Sequence, residues 1–155
     1  MKRAVTLSLL TMLTILASCS RAAPEATCEG AVRLWLERME ASTEDGRASR
    51  EAYALLGPAS RATLEQRAER ASRVQGRRVE PFEMLAEGRF GLKFRPKTMT
   101  TRIVDDRATV EVLGGEPLTE HATVHCARDP HDPASWRVEP ALPDVQALPK
   151  RSNGL

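Results

Sequence analysis

From Ala4 to Ala17 fourteen consecutive residues carry no charge, behind Lys2 and Arg3. A basic start, an apolar run and small residues at its end are the layout of a secretory signal. The run is shorter than the roughly 20 residues that a membrane-spanning helix needs. Beyond it the apolar positions recur at a helical period. Cys28, Val32, Trp35, Leu36 and Met39 share one face, with Arg33, Glu37, Arg38 and Glu40 off it. This predicts a first helix over 24–41, with Pro24 in its first turn. A cap at Ser42 or Thr43, with Glu44 and Asp45 following, predicts a second helix that turns Ala48, Ala52, Tyr53 and Leu56 inward. Gly57-Pro58 ends it, the glycine acting as a left-handed cap. A third helix runs from Pro58 to about Val74 on a thin stripe of Leu64, Ala68 and Ala71, and Gly76 stops it. Its other positions carry charges of mixed sign, which marks a solvated face.

Between Arg77 and Arg95 the pattern is less regular. Phe82, Met84 and Leu85 suggest a helical turn before Gly88, and Phe90, Leu92 and Phe94 alternate as an extended segment does. These aromatic residues either plug the core or line a pocket. Both readings stay open at this point. From Lys97 the period is two. The segment 97–104, the turn Asp105-Asp106 and the run 108–113 make a hairpin. Gly114-Gly115-Glu116-Pro117 turns into a third strand over 119–127, and Trp136 to Glu139 forms a fourth, stopped at Pro140. The inward set predicted for the sheet is Met99, Thr101, Ile103, Ala108, Val110, Val112, Ala122, Val124, Cys126, Trp136 and Val138. Helices followed by an antiparallel meander are an α+β arrangement, with N-terminal helices packed on a curved sheet of about four strands. The domain organisation is a signal over 1–18, a short tether over 19–26, one domain over 27–142 and a polar, proline-containing tail over 143–155.

Charge changes this picture in one respect. Lys2 and Arg3 leave with the signal and no acid does, so the 23 Lys+Arg of the whole chain become 21, equal to its 21 Asp+Glu. A neutral balance argues against a nucleic-acid binder, whose phosphate contacts need a basic excess. Of the three cysteines, Cys19 adjoins the cut between Ser18 and Cys19. Cys28 and Cys126 remain, an even pair in an oxidising compartment, one on the apolar face of the first helix and one on that of the third strand. They either form a disulfide or stay as two buried thiols.

Leu16-Ala17-Ser18-Cys19 resembles the lipobox of bacterial lipoproteins. The resemblance implies acylation of Cys19 as the new N-terminus and attachment to the membrane through that lipid. Ser20, where an Asp is absent, implies the periplasmic face of the outer membrane rather than the inner membrane. Further on, Val32-Arg33-Leu34-Trp35-Leu36, Glu51-Ala52-Tyr53-Ala54-Leu55-Leu56, Asp105-Asp106-Arg107-Ala108-Thr109-Val110 and Ser135-Trp136-Arg137-Val138-Glu139 resemble, in pattern and order, the nuclear transport factor 2-like cone fold. That family hosts enzymes, inhibitors and binding modules, so the resemblance implies an architecture and no single activity.

Candidate chemistry is sparse. His121 and His125 on a strand share a face but sit about 13 Å apart, too far for one metal. His131, beside Asp129 and Asp132, lacks the ligand count that calcium needs. No metal or other cofactor is expected. Enzymes of the cone fold place an acid–base pair inside the cavity, and none of the inward positions above is a carboxylate or a histidine. No catalytic residue is assigned. No phosphate loop, catalytic triad order or CxxC is present, and Gly88-x-x-Gly91 is too short to carry meaning. The sequence points to a lipid-anchored, non-enzymatic envelope protein that binds a small apolar ligand or an envelope partner. The alternatives are a proton-shuttling isomerase or hydrolase that brings His121 or His125 inward, and a structural protein whose cavity is filled by Trp35, Trp136 and Phe90. Glu80, Glu83 and Glu87 are the acids placed nearest a cavity mouth.

Overall fold

The computed structural model describes residues 22–87 and 92–142. The signal and its cleavage point, Cys19, Ser20, the Gly88–Gly91 segment with Phe90, and the tail over 143–155 lie outside the described residues. Helices α1 (Cys28–Ala41), α2 (Gly46–Ala54), α3 (Pro58–Gln75) and α4 (Glu83–Glu87) precede strands β1 (Thr98–Val104), β2 (Arg107–Leu113), β3 (His121–Arg128) and β4 (Trp136–Glu139). The strands form one antiparallel sheet in the order β1-β2-β3-β4. The fold class is the α+β expected from the sequence. No helix among the described residues is long and apolar enough to cross a membrane.

The helix starts differ from the sequence reading, each for a local reason. Pro24 opens a separate 3-10 turn, Pro24–Ala26, and not α1. Thr27 is the cap of α1, its Oγ1 accepting from Gly30 N at 3.0 Å. The second helix is capped by Asp45, which accepts from Arg47 N at 2.8 Å. Ser42 and Thr43 instead donate back to the Met39 and Glu40 carbonyls at the end of α1, at 2.7 and 3.0 Å. Carbonyls left over at a helix end need donors, and these hydroxyls supply them. Gly57 is not left-handed. With φ −77° and ψ 170° it is extended and caps α3. Gly76, with φ 65°, takes the left-handed conformation that ends α3.

The core lies between α1 and the sheet. Cys28, Ala31, Val32, Trp35 and Met39 are the buried face of α1, which touches all four strands. Opposite them Ala108, Val110, Val112, Val124, Cys126, Trp136 and Val138 are buried, and Met99 is half-buried. A disulfide joins Cys28 to Cys126, their Cα atoms 6.0 Å apart, and ties α1 to β3. Of the residues expected inward, Ile103 is 58% exposed. It shares the face of Met99 and Thr101 by register, opposite Ala108, but lies at the far end of an edge strand. Period two assigns a face, and the reach of the covering helix decides burial.

Beyond β4 the chain before α3 continues the sheet by one parallel bridge, Leu56 to Val138. Gly57 N donates to Val138 O, and Val138 N donates to Leu55 O, both at 2.9 Å. These bonds fix the start of α3 against the sheet edge.

Candidate functional site

A cleft with a cavity volume of about 910 Å³ opens between the C-terminal half of α1 and the stretch Leu92–Met99. Volumes of about 300–1,000 Å³ are those of small-molecule sites. Its apolar surface comes from Leu36 and Met39 of α1, Leu85 of α4, and Leu92, Phe94, Pro96 and Met99. Its charged rim carries Arg33, Glu37 and Glu40 from α1, and Lys93 and Arg95 from the facing stretch. Ser42 and Thr43 close one end.

Both walls follow from local sequence. On α1, Leu36, Met39 and Glu40 succeed one another at helical spacing, so apolar and acidic side chains border the same groove. The facing stretch bends at Lys93 and Phe94, and burial alternates along it. Leu92, Phe94 and Pro96 are half-buried, whereas Lys93, Arg95 and Lys97 are exposed. A hydrogen bond from Lys97 N to Leu113 O, 2.8 Å, anchors its end to β2. Arg33 is held by Glu29 at 2.9 Å. Among the described residues no ion pair engages Glu37, Glu40, Lys93 or Arg95.

The aromatic cluster of the sequence reading divides. Phe94 lines the cleft, and Phe82 lies instead beneath the Arg50 guanidinium, 4.9 Å from the ring centroid. Glu80 and Glu83 are not at the mouth. Glu80 pairs with Arg78 at 2.7 Å and Glu83 with Arg77 at 3.0 Å. Glu83 also accepts from Glu80 N, and this bond foremost, with the Arg77 guanidinium, holds its carboxyl below the usual range. Among the described residues the acids at the mouth are Glu37 and Glu40, which sequence reasoning places only off the apolar face; the Glu87 side chain lies outside the described residues. The readable signal was that Leu36 and Met39 lie at the margin of a face whose centre is Trp35.

His121 and His125 are exposed, on the sheet face away from the core. His125 lies beside Thr109, its Nδ1 3.3 Å from the hydroxyl oxygen, and neither histidine lines the cleft. An inward histidine was the requirement of the isomerase or hydrolase alternative, and neither residue meets it. Among the described residues no cluster of three or more His, Cys, Asp or Glu side chains could hold a metal. Asp129 near His131 is a loop-forming residue. It accepts from His131 N at 2.9 Å and from Arg137 Nε at 2.6 Å, and these bonds, the first foremost, lower its pKa. Trp35 and Trp136 are buried in the core, and neither lines the cleft.

The arrangement can hold an apolar body against a preformed floor. Each methylene buried there contributes about 0.8 kcal/mol, whereas an exposed ion pair contributes about 0.2–1 kcal/mol. Affinity therefore comes from the floor and selection from the rim. Comparison with protein-family models, curated proteins and solved structures finds no match for this chain.

Proposed function

We propose that this chain is a bacterial envelope lipoprotein, acylated at Cys19, that holds a small apolar ligand in the cleft between α1 and Leu92–Met99. The observation that carries the reading is the apolar floor of Leu36, Met39, Leu85, Phe94 and Met99 in a cleft of about 910 Å³. The anchor rests on Leu16-Ala17-Ser18-Cys19 behind a basic start and an uncharged run, and the periplasmic face of the outer membrane on Ser20. The α+β order supports the likeness to the nuclear transport factor 2-like fold, in which helices and a sheet enclose a cavity.

Two experiments test the two halves. Cys19→Ser should abolish processing and membrane association, and a variant that is processed and bound to membranes like the parent refutes the anchor. Native mass spectrometry of the Cys19→Ser chain, exported in its own host by a non-lipid signal, should give a native mass above the denatured mass. The excess should disappear with Met99→Glu, which puts a charge on the floor. Equal native and denatured masses in the Cys19→Ser chain would contradict ligand carriage.

A further inference from the structure

The charges around the cleft are sorted by wall. Glu37 and Glu40 stand on α1, three residues apart, which places their Cβ atoms about 5–6 Å from each other. Lys93 and Arg95 stand on the facing stretch, two residues apart and both exposed. Like charges this close on one wall disfavour each other, and no partner among the described residues relieves either pair. The fifth charge of the lining, Arg33, is occupied by Glu29 at 2.9 Å. An acidic wall therefore faces a basic wall across an apolar floor.

We infer that the cleft takes a dipolar amphiphile: an apolar chain on the floor, a phosphate on Lys93 and Arg95, and an amine on Glu37 and Glu40. This rests on the apolar-ligand reading above and names the head group. A neutral head gains from neither wall. A purely anionic head gains from the basic wall and is opposed by Glu37 and Glu40. A purely cationic head has the reverse problem. Only a head of both signs turns each wall to advantage. Two cations on one short stretch suit a group with several anionic oxygens, and the planar fork of Arg95 matches phosphate geometry.

The test is isothermal titration of the Cys19→Ser chain with four dodecyl probes, each below its micelle concentration: dodecylphosphoethanolamine, dodecyl phosphate, dodecylamine and dodecanol. The zwitterionic probe should bind more tightly than any other, by up to about fivefold, the scale of one exposed ion pair. Glu37→Gln with Glu40→Gln should remove its advantage over dodecyl phosphate. Lys93→Gln with Arg95→Gln should remove its advantage over dodecylamine. All four positions are exposed, so these changes leave the core untouched. Equal binding of the four probes would overturn the head-group inference and leave the apolar-ligand reading standing, since dodecanol reports on the floor alone. Failure of all four, dodecanol included, would overturn both.

Discussion

Glu139, at the end of the last strand, caps the helix that starts at Pro58. Its Oε2 accepts from Ser60 N at 2.9 Å and also from the Ser60 hydroxyl, while Oε1 accepts from Ala59 N at 3.2 Å. The first N–H groups of a helix lack partners within it, and a carboxylate is the best-matched acceptor for them. This one comes from 79 residues away and not from the cap position itself. The cap residue is Gly57 because the carboxylate occupies the place a side chain would take: an added Cβ would lie 2.7 Å from Glu139 Cδ and closer still to Oε1.

Glu139→Ala should therefore destabilise the fold by about 1–2 kcal/mol, as loss of a helix cap does. Gly57→Ala should cost a similar amount by pushing the same carboxylate away. The double variant should cost less than the sum, because only one cap can be lost. Urea unfolding of the four proteins measures the coupling, and strict additivity would contradict the shared cap.

The disulfide holds α1 on β3 from inside the core, with Cys28 and Cys126 each at most 2% exposed. Thiol labelling of the denatured, unreduced protein should find neither cysteine reactive. Reduction should then lower stability by about 4–5 kcal/mol, the loop-entropy scale for a bridge spanning 98 residues. Full labelling of both before reduction would contradict the bridge.

Tyr53 is the chain's one tyrosine, so its titration has a single spectroscopic source. Burial, and then its hydrogen bond to Glu65 at 3.0 Å, push the phenol up to about 12. A raised folded value means the phenol's stabilising contribution is complete below pH 10 and lost as pH rises through 12. Absorbance at the phenolate band should show a midpoint near pH 12 in the folded protein and near pH 10 in denaturant. A folded midpoint near 10 would contradict the contact.

Asp129 has the opposite sign. Its depressed value makes its contribution present above the unfolded value of about 3.9 and lost as pH falls through the folded one. Asp129→Asn should cost about 1–2 kcal/mol at neutral pH, through weaker bonds to Arg137 Nε and His131 N. The gap to the parent should narrow below pH 4. A pH-independent gap, read from denaturant midpoints, would show that the carboxylate's charge plays no part.

How much of this was legible in the sequence depended on the range of the interaction. Periodicity placed Cys28, Val32, Trp35 and Met39 on one face of α1 and paired Val110 and Val112 with the core, because burial at a fixed period is a local signature. Gly57 reads locally as a helix end, and the structure makes it the start of α3. Its conformation is set by Val138 and Glu139, about 80 residues distant, and glycine beside proline carries the same local signal either way. Ser42 and Thr43 look like the second cap from sequence because such hydroxyls serve either helix end, and only the structure shows which. The cleft was half visible. Leu92 and Phe94 alternated as a lining would, but their partners Leu36, Met39, Glu37 and Glu40 belong to a helix that reads as complete without them.

An apolar ligand seated between α1 and Leu92–Met99 would be visible to methionine methyl NMR. With a non-lipid signal in place of residues 1–18, the methionines of the Cys19→Ser chain are Met39, Met84 and Met99. Met39 and Met99 line the cleft, and Met84 is buried without lining it. With methyl-labelled methionine in the Cys19→Ser chain, added dodecanol should shift the Met39 and Met99 signals, saturably and together, and leave Met84 in place. Three unmoved signals at saturating dodecanol, or a shift confined to Met84, would contradict the account.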